Sequence, residues 1–290
     1  MHDYDLTRKG WFETALQFAD VIGHVSNYPY AYLYGMFLAL SGHTIGRSAF
    51  IRYATPIYPN HFICLVGDSG IHHKSTAINL GLDVWGDMAD EYQPIRSLTT
   101  SQGLLLAMSK QEGHTIVVLD ELASMLSKKR QDFAADLMSR IVELYGCPRV
   151  AGNYTRNDPI EVKEPFLSFI SASTTEWLRA SVTNQDLMAG FGNRMTFILG
   201  DPRGDRPWPL LPSWEPFDWE RLSSFKGEIR LDDDARALWN EDYLAFQAFQ
   251  VKSSPFLRVM SERIPEKILK ACIVICAWEG TDIVDAEILE

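Results

Sequence analysis

Phe62-Ile63-Cys64-Leu65-Val66-Gly67-Asp68-Ser69-Gly70-Ile71-His72-His73-Lys74-Ser75-Thr76 is an apolar, β-prone run that breaks into a glycine-bearing loop and closes on Lys-Ser-Thr. It reads as a strand, a phosphate-binding loop and the start of a helix. Glycines let backbone N–H groups close around a polyphosphate, the lysine reaches the outer phosphates, and the hydroxyl after it holds Mg²⁺. The helix that follows adds its positive N-terminal end. The spacing departs from the general pattern GxxxxGK[ST], because His73 stands where glycine precedes the lysine. Gly67 and Gly70 lie seven and four residues before Lys74, so one residue is inserted. His72 and His73 either touch phosphate or decorate a widened loop, a departure that bears on hydrolysis rate more than on nucleotide binding.

Working outward, 290 residues suffice for one large domain or a core with an appendage, burying roughly three quarters of the unfolded surface. Hydrophobic content of 46% and charged content of 22% exclude disordered and fibrous classes. A formal charge of −11 excludes a surface coated with basic residues for duplex DNA, though not a narrow nucleic-acid channel. The apolar stretch Ala31 to Ser41 is too short to span a bilayer, and Met1 to Asp5 is polar and acidic, so a cytoplasmic protein without membrane partners is expected. Cys64, Cys147, Cys272 and Cys276 lack paired C-x-x-C spacing and read as buried free thiols.

Residues 10–50 carry helix-like apolar spacing interrupted at Asn27-Tyr28-Pro29. Strand candidates follow at 61–66, Ile95–Leu98, Thr115–Leu119, Phe166–Ala172 and Met195–Leu199, separated by helix-like sequence. Continuous apolar runs suit parallel strands buried on both faces, and the alternation predicts an α/β doubly wound sheet. Ligands in such sheets bind beyond the carboxyl ends of the strands. A polar β-prone stretch from Val150 to Glu164 predicts a hairpin, and the prolines and tryptophans of Asp201 to Trp219 predict an extended linker. From Asp232 onward the chain reads as mainly helical. The expected organisation is an N-terminal helical segment over 1–55, a nucleotide-binding core over 56–204, and a linker with helical lid over 205–290.

Ile116-Val117-Val118-Leu119-Asp120-Glu121 ends an apolar run in two acids about 45 residues after the loop. In nucleotide hydrolysis the first acid at such a strand end holds Mg²⁺ and the second polarises the attacking water. Phe166 to Thr175 is a strand running into small hydroxyl residues. A polar side chain there sits between the acids and the γ-phosphate, while Thr174 or Thr175 can equally cap the helix that follows.

The order of these motifs resembles the AAA+ P-loop ATPases, specifically the helicase branch that includes the minichromosome-maintenance proteins, over roughly residues 30 to 290. Gly67-Asp68-Ser69-Gly70…Lys74-Ser75 is similar to that branch's GDPGxxKS loop, with one extra residue. Leu119-Asp120-Glu121-Leu122 resembles its acidic strand end, and Ser168 to Thr174 its first sensor strand. Gly190-Phe191-Gly192-Asn193-Arg194 is similar to the segment whose arginine enters the neighbouring subunit's site. Ser261 to Lys270, with Arg263, resembles the lid helix bearing the second sensor, and Asp285 to Leu289 the segment after it. The chain also resembles helicase-like ATPases encoded with primases on phages, plasmids and chromosomal islands.

What the resemblance implies is a P-loop fold with ATP and Mg²⁺, Lys74 on phosphate, Ser75 and Asp120 on the metal, Glu121 activating water, and Ser173 or Thr174 sensing. Gly67 to Thr76 form the loop, Arg263 contacts the γ-phosphate from the lid, and Arg194 acts in trans within a homo-oligomeric, hexameric ring. The alternatives are a salt bridge at a strand start for Arg194 and a surface helix position for Arg263. The hairpin falls where this branch points one into the central pore, with Arg149, Arg156 and Lys163 as candidates for single-stranded DNA and Tyr154 as a stacking surface. A solvated hairpin is the alternative, and Lys128-Lys129-Arg130 reads as a solvated face. The expected activity is a DNA helicase motor in mobile-element replication, with a primase or replication partner. The rival expectations are an AAA+ machine that remodels a protein complex and a nucleotide-binding module with weak turnover.

Overall fold

The computed structural model describes residues 12–23, 25, 28–127, 132–153, 159–181, 190–200 and 217–290. Helices α1 (Glu13–Gly23) and α2 (Tyr30–Ile45) and strands β1 (Ala49–Arg52) and β2 (Pro56–Ile57) precede β3 (Phe62–Val66). Helices α3 (Lys74–Trp85), α4 (Asp87–Tyr92) and α5 (Ser101–Lys110) lead to β4 (His114–Leu119). Helices α6 (Leu122–Ser127) and α7 (Asp132–Tyr145) lead to a hairpin of β5 (Val150–Asn153) and β6 (Ile160–Lys163), then to β7 (Phe166–Ser173), α8 (Thr175–Ser181) and β8 (Thr196–Leu199). Strands β9 (Gly227–Leu231) and β10 (Ile283–Val284) lie among the helices Trp219–Ser224, Asp233–Lys252, Pro255–Ser261, Ile264–Glu279 and Ala286–Leu289.

Strands β4, β7, β3 and β8 form a parallel sheet in that order. Every residue of β3 and β7 is buried, as expected of parallel strands covered on both faces. Successive residues point to opposite faces, so Ile63, Leu65, Ile170 and Ala172 join one core while Phe62, Cys64, Leu167 and Phe169 join another. The four cysteines are buried free thiols.

Helix α2 lies on the first face and is buried all round, twelve of its sixteen residues being inaccessible. Two glycines set its closeness to the sheet side. A Cβ on Gly35 would stand 2.2 Å from Ile198 Cδ1, and one on Gly42 would stand 2.0 Å from the Pro59 carbonyl oxygen. Three tryptophans clasp α2 and α3 through their indole N–H groups: Trp85 donates to Thr44 Oγ1 at 2.9 Å, Trp278 to Ser41 Oγ at 2.9 Å and Trp219 to the Val84 carbonyl at 3.1 Å. Buried indoles require such acceptors.

Several expectations change. The stretch Ile95–Leu98 contributes only a bridge, Ile95 to Val117, because Arg96 and Ser97 are exposed and Thr100 already caps α5. Trp219, expected in an extended linker, starts a helix and is buried; residues 201–216 lie outside the described residues. A second sheet, β10-β9-β1-β2, was not anticipated. Its central pairing joins β1 to β9 in parallel across some 180 residues, closed by Ser48 Oγ donating to the Phe225 carbonyl at 2.8 Å. The expected boundary at 55/56 falls between the paired strands β1 and β2, and the one at 204/205 lies outside the described residues. One apolar cluster runs from Ala15 through Ile63 to Val284.

Buried histidines tie this core to pH. Burial holds His43 well below its usual value, with His114 adding to the effect. Burial also holds His114 to about 4 and, aided by the Lys270 charge, His61 to about 3. All three are neutral when folded, whereas the unfolded chain binds protons from about pH 6.5 downward. Stability is thus complete above about 6.5 and falls as pH drops toward 4, by at most about 1.4 kcal/mol per group per pH unit. Urea midpoints measured between pH 7.5 and 5 should decrease accordingly. Separately, Gly42→Ala should cost about 3 kcal/mol through the backbone clash, read as a lowered melting temperature.

Candidate functional site

Because β3, β4, β7 and β8 are parallel, their carboxyl ends meet at one edge. Val66 is in register with Ser173 on one side and Leu199 on the other, and Leu119 with Ser171. The loop Gly67–His73 leaves β3 there and turns into α3 at Lys74, with Gly70 at φ 78° and His73 at φ 46°. Both lie in the left-handed region, which lets so short a segment reverse into the helix. Asp68, Ser69, Gly70 and Ile71 are exposed along the loop, and Ser75 and Thr76 are exposed on the first turn of α3.

Lys74 Nζ turns back and donates to the Gly67 carbonyl at 2.6 Å and the Asp68 carbonyl at 3.2 Å. Partial burial lowers its pKa, opposed by the carboxylates of Glu121 and Asp68. His72 faces inward, 7% exposed, and its Nδ1 accepts the Asp68 backbone N–H at 2.9 Å. The ring is thus part of the loop's interior. Tyr32, which sequence reasoning missed, donates its hydroxyl to the Val66 carbonyl at 2.6 Å. It lies on a helix apolar all round, where no periodic signal marks one hydroxyl as pointing at the loop.

The acids follow β4. Asp120 is exposed, and Glu121 Oε1 accepts the Ala123 backbone N–H at 3.0 Å together with a short hydrogen bond from Ser173 Oγ. Ser173 reaches Glu121 because β7 is interposed between β3 and β4. Thr174 has the other role open to it: its Oγ1 accepts the Trp177 N–H at 3.1 Å and caps α8. Of the two sensor candidates, Ser173 is the one in the constellation. Lys74, Glu121 and Ser173 thus stand together at the carboxyl edge.

Arg194 and Arg263 are elsewhere. Arg194 precedes β8, whose first residue Thr196 is in register with Ile63, so it stands at the amino edge, away from its own loop. Its Nη1 donates to the Gly190 carbonyl at 2.7 Å, and its guanidinium lies 5.7 Å from the Tyr145 ring centre. Burial lowers its pKa, and the neighbouring charge of Arg263 lowers it further. Arg263, expected over the γ-phosphate, instead pairs with Glu266 at 2.8 Å on this amino side. The reason is the seating of its helix: Lys267 Nζ donates to the Met195 carbonyl at 2.7 Å, and Lys270 Nζ to Asn60 Oδ1 at 2.6 Å, just before β3. No spacing in the sequence foretold that seating.

The hairpin β5–β6 forms as expected, pairing Val150 with Lys163 and Asn153 with Ile160. Arg149 and Lys163 are exposed at its base, while Tyr154, Arg156 and the run at 128–130 lie outside the described residues. Ala151 and Val162 anchor the hairpin in the second core.

The division of labour between the two hydroxyls is measurable. Thr174→Ala should lower stability by about 1 kcal/mol in urea denaturation, the usual cost of a lost cap. Ser173→Ala should leave α8 intact and act on the Glu121 carboxylate alone.

Compared with known proteins, the chain matches no protein-family model and no curated protein.

Proposed function

We propose that the chain is an AAA+ ATPase that assembles into a ring and works as a DNA-translocating helicase motor of mobile-element replication. The observation that carries the nucleotide reading is the joint position of Lys74, Glu121 and Ser173 at the carboxyl edge, created by β7 lying between the loop strand and the acidic strand. Lys74 exchanges its loop carbonyls for phosphate oxygens. Glu121, oriented by Ser173 and the Ala123 N–H, holds and polarises the attacking water. One exposed carboxylate, Asp120, and one exposed hydroxyl, Ser75, are the sparse donor set that Mg²⁺ takes alongside phosphate and water. When bound, the ion neutralises charge on the transferred phosphoryl group.

Arg194 and Arg263 share the opposite edge, so both serve a neighbouring copy's nucleotide, which makes hydrolysis depend on the oligomer. An arginine so supplied is worth roughly 10³–10⁵ in rate. The basic hairpin base, Arg149 and Lys163, is the part of each subunit offered to single-stranded DNA, and a ring multiplies these few charges despite the acidic chain.

Lys74→Ala should abolish ATP binding, and Glu121→Gln should bind ATP but not hydrolyse it. Arg194→Ala should bind ATP and lose turnover, and mixing it with Lys74→Ala should restore part of the activity through interfaces that join an intact loop to an intact arginine. Unchanged turnover in Lys74→Ala would overturn the ATPase reading. ATPase activity indifferent to single-stranded DNA would leave the ATPase and remove the helicase.

A further inference from the structure

The inserted residue and the inward ring belong together. The Gly67 carbonyl and the Asp68 N–H are two ends of one peptide group, and the structure occupies both: Lys74 Nζ holds the carbonyl at 2.6 Å and His72 Nδ1 holds the N–H at 2.9 Å. Since the backbone N–H must donate, Nδ1 must be the unprotonated ring nitrogen. The ring also lies against Gly67, where a Cβ would stand 2.6 Å from His72 Cγ and 2.5 Å from the Tyr32 hydroxyl. Gly67 is thus demanded by a ring and a phenol inside the loop.

Resting on the ATPase reading above, we infer that His72 is a positioning residue of the phosphate loop, pinning the Gly67–Asp68 peptide when Lys74 turns away to phosphate. In the lysine-plugged loop the peptide has two restraints. Once the ammonium leaves the Gly67 and Asp68 carbonyls, the His72 bond is the one of the two that persists. Without it the peptide plane can rotate, and a loop one residue longer than the general pattern has more conformations to lose on closing around phosphate. The inward ring of His72 therefore compensates for the insertion. His73, beside it, takes the left-handed turn into α3 and packs edge-on to Tyr28 at 6.3 Å, so the two histidines have different tasks.

The test uses the Glu121→Gln background, so that ATP affinity is read without turnover. His72→Phe keeps the ring's bulk and removes the acceptor, whereas the Oδ1 of His72→Asn occupies nearly the position of Nδ1. ATP affinity should fall roughly tenfold in His72→Phe, the worth of one backbone hydrogen bond, and return to within about threefold in His72→Asn. Hydrogen exchange over Val66 to Thr76 in the nucleotide-free protein should quicken in His72→Phe and not in His72→Asn. Equal affinities and equal exchange in the two variants would overturn the inference, as would equal loss in both with intact melting temperatures. If the protein with native His72 binds no ATP, the ATPase reading fails and the affinity role with it; the exchange data then decide only whether the bond orders the loop. Binding lost in Lys74→Ala but unchanged in His72→Phe leaves the ATPase reading standing and removes the role of His72.

Discussion

Everything at the carboxyl edge depends on one strand being in the middle. Strand β7 hydrogen-bonds to β3 on one side and β4 on the other, and all eight of its residues are buried. A strand so enclosed can be built only of small or apolar side chains. Its polar members are therefore serines satisfied locally: Ser168 Oγ lies 3.2 Å from His43 Nδ1, and Ser171 Oγ donates to the Ile63 carbonyl at 3.0 Å. Ser173, at the end, is the first that can reach a partner from the site. The register that aligns it with Val66 also sets it between the loop and the acids, and no side chain need be specially aimed.

This explains which parts were legible in the sequence. Phe62–Val66 and Ile116–Leu119 are continuous apolar runs, and Phe166–Ala172 is one broken only by two serines, because all three are covered on both faces, and burial of that kind leaves its mark in composition. The hairpin was marked by turn residues. The second sheet left no such mark: β1 and β2 are short and half exposed, and β9 supplies their neighbour from beyond residue 226. Only the edge groups of the backbone make that pairing necessary, and these are the same in every sequence.

The site was half legible for a related reason. Loop, acids and hydroxyls are carried by consecutive chain at strand ends, so motif order located Lys74, Glu121 and Ser173. The role of Thr174 became distinct only through the cap it makes on α8. Arg263 stands immediately before a helix whose position depends on partners far away in sequence, and its place at the amino edge could not be read from the residues beside it. Tyr32 and His72 are buried polar groups whose meaning lies in which backbone atom each satisfies.

The same argument explains how the amino edge holds its charge. Lys270 is 1% exposed, and burying an ammonium costs several kcal/mol unless it is paired and hydrogen-bonded. Asn60 supplies two oxygens, Glu266 a carboxylate at 3.4 Å, and the Tyr145 ring a π-face at 3.7 Å. Asn60 in turn donates its amide to the carbonyls of Tyr145 and Leu167. A buried cation with this many fixed partners ties the helix Ile264–Glu279 to the start of β3, the strand whose other end carries the loop Gly67–His73. Glu266 serves Arg263 and Lys270 together, so the arginine's position is set by the same carboxylate that neutralises the lysine. Lys74 at one edge, and Arg263 with its Glu266 partner at the other, are thus fastened to opposite ends of a single buried strand.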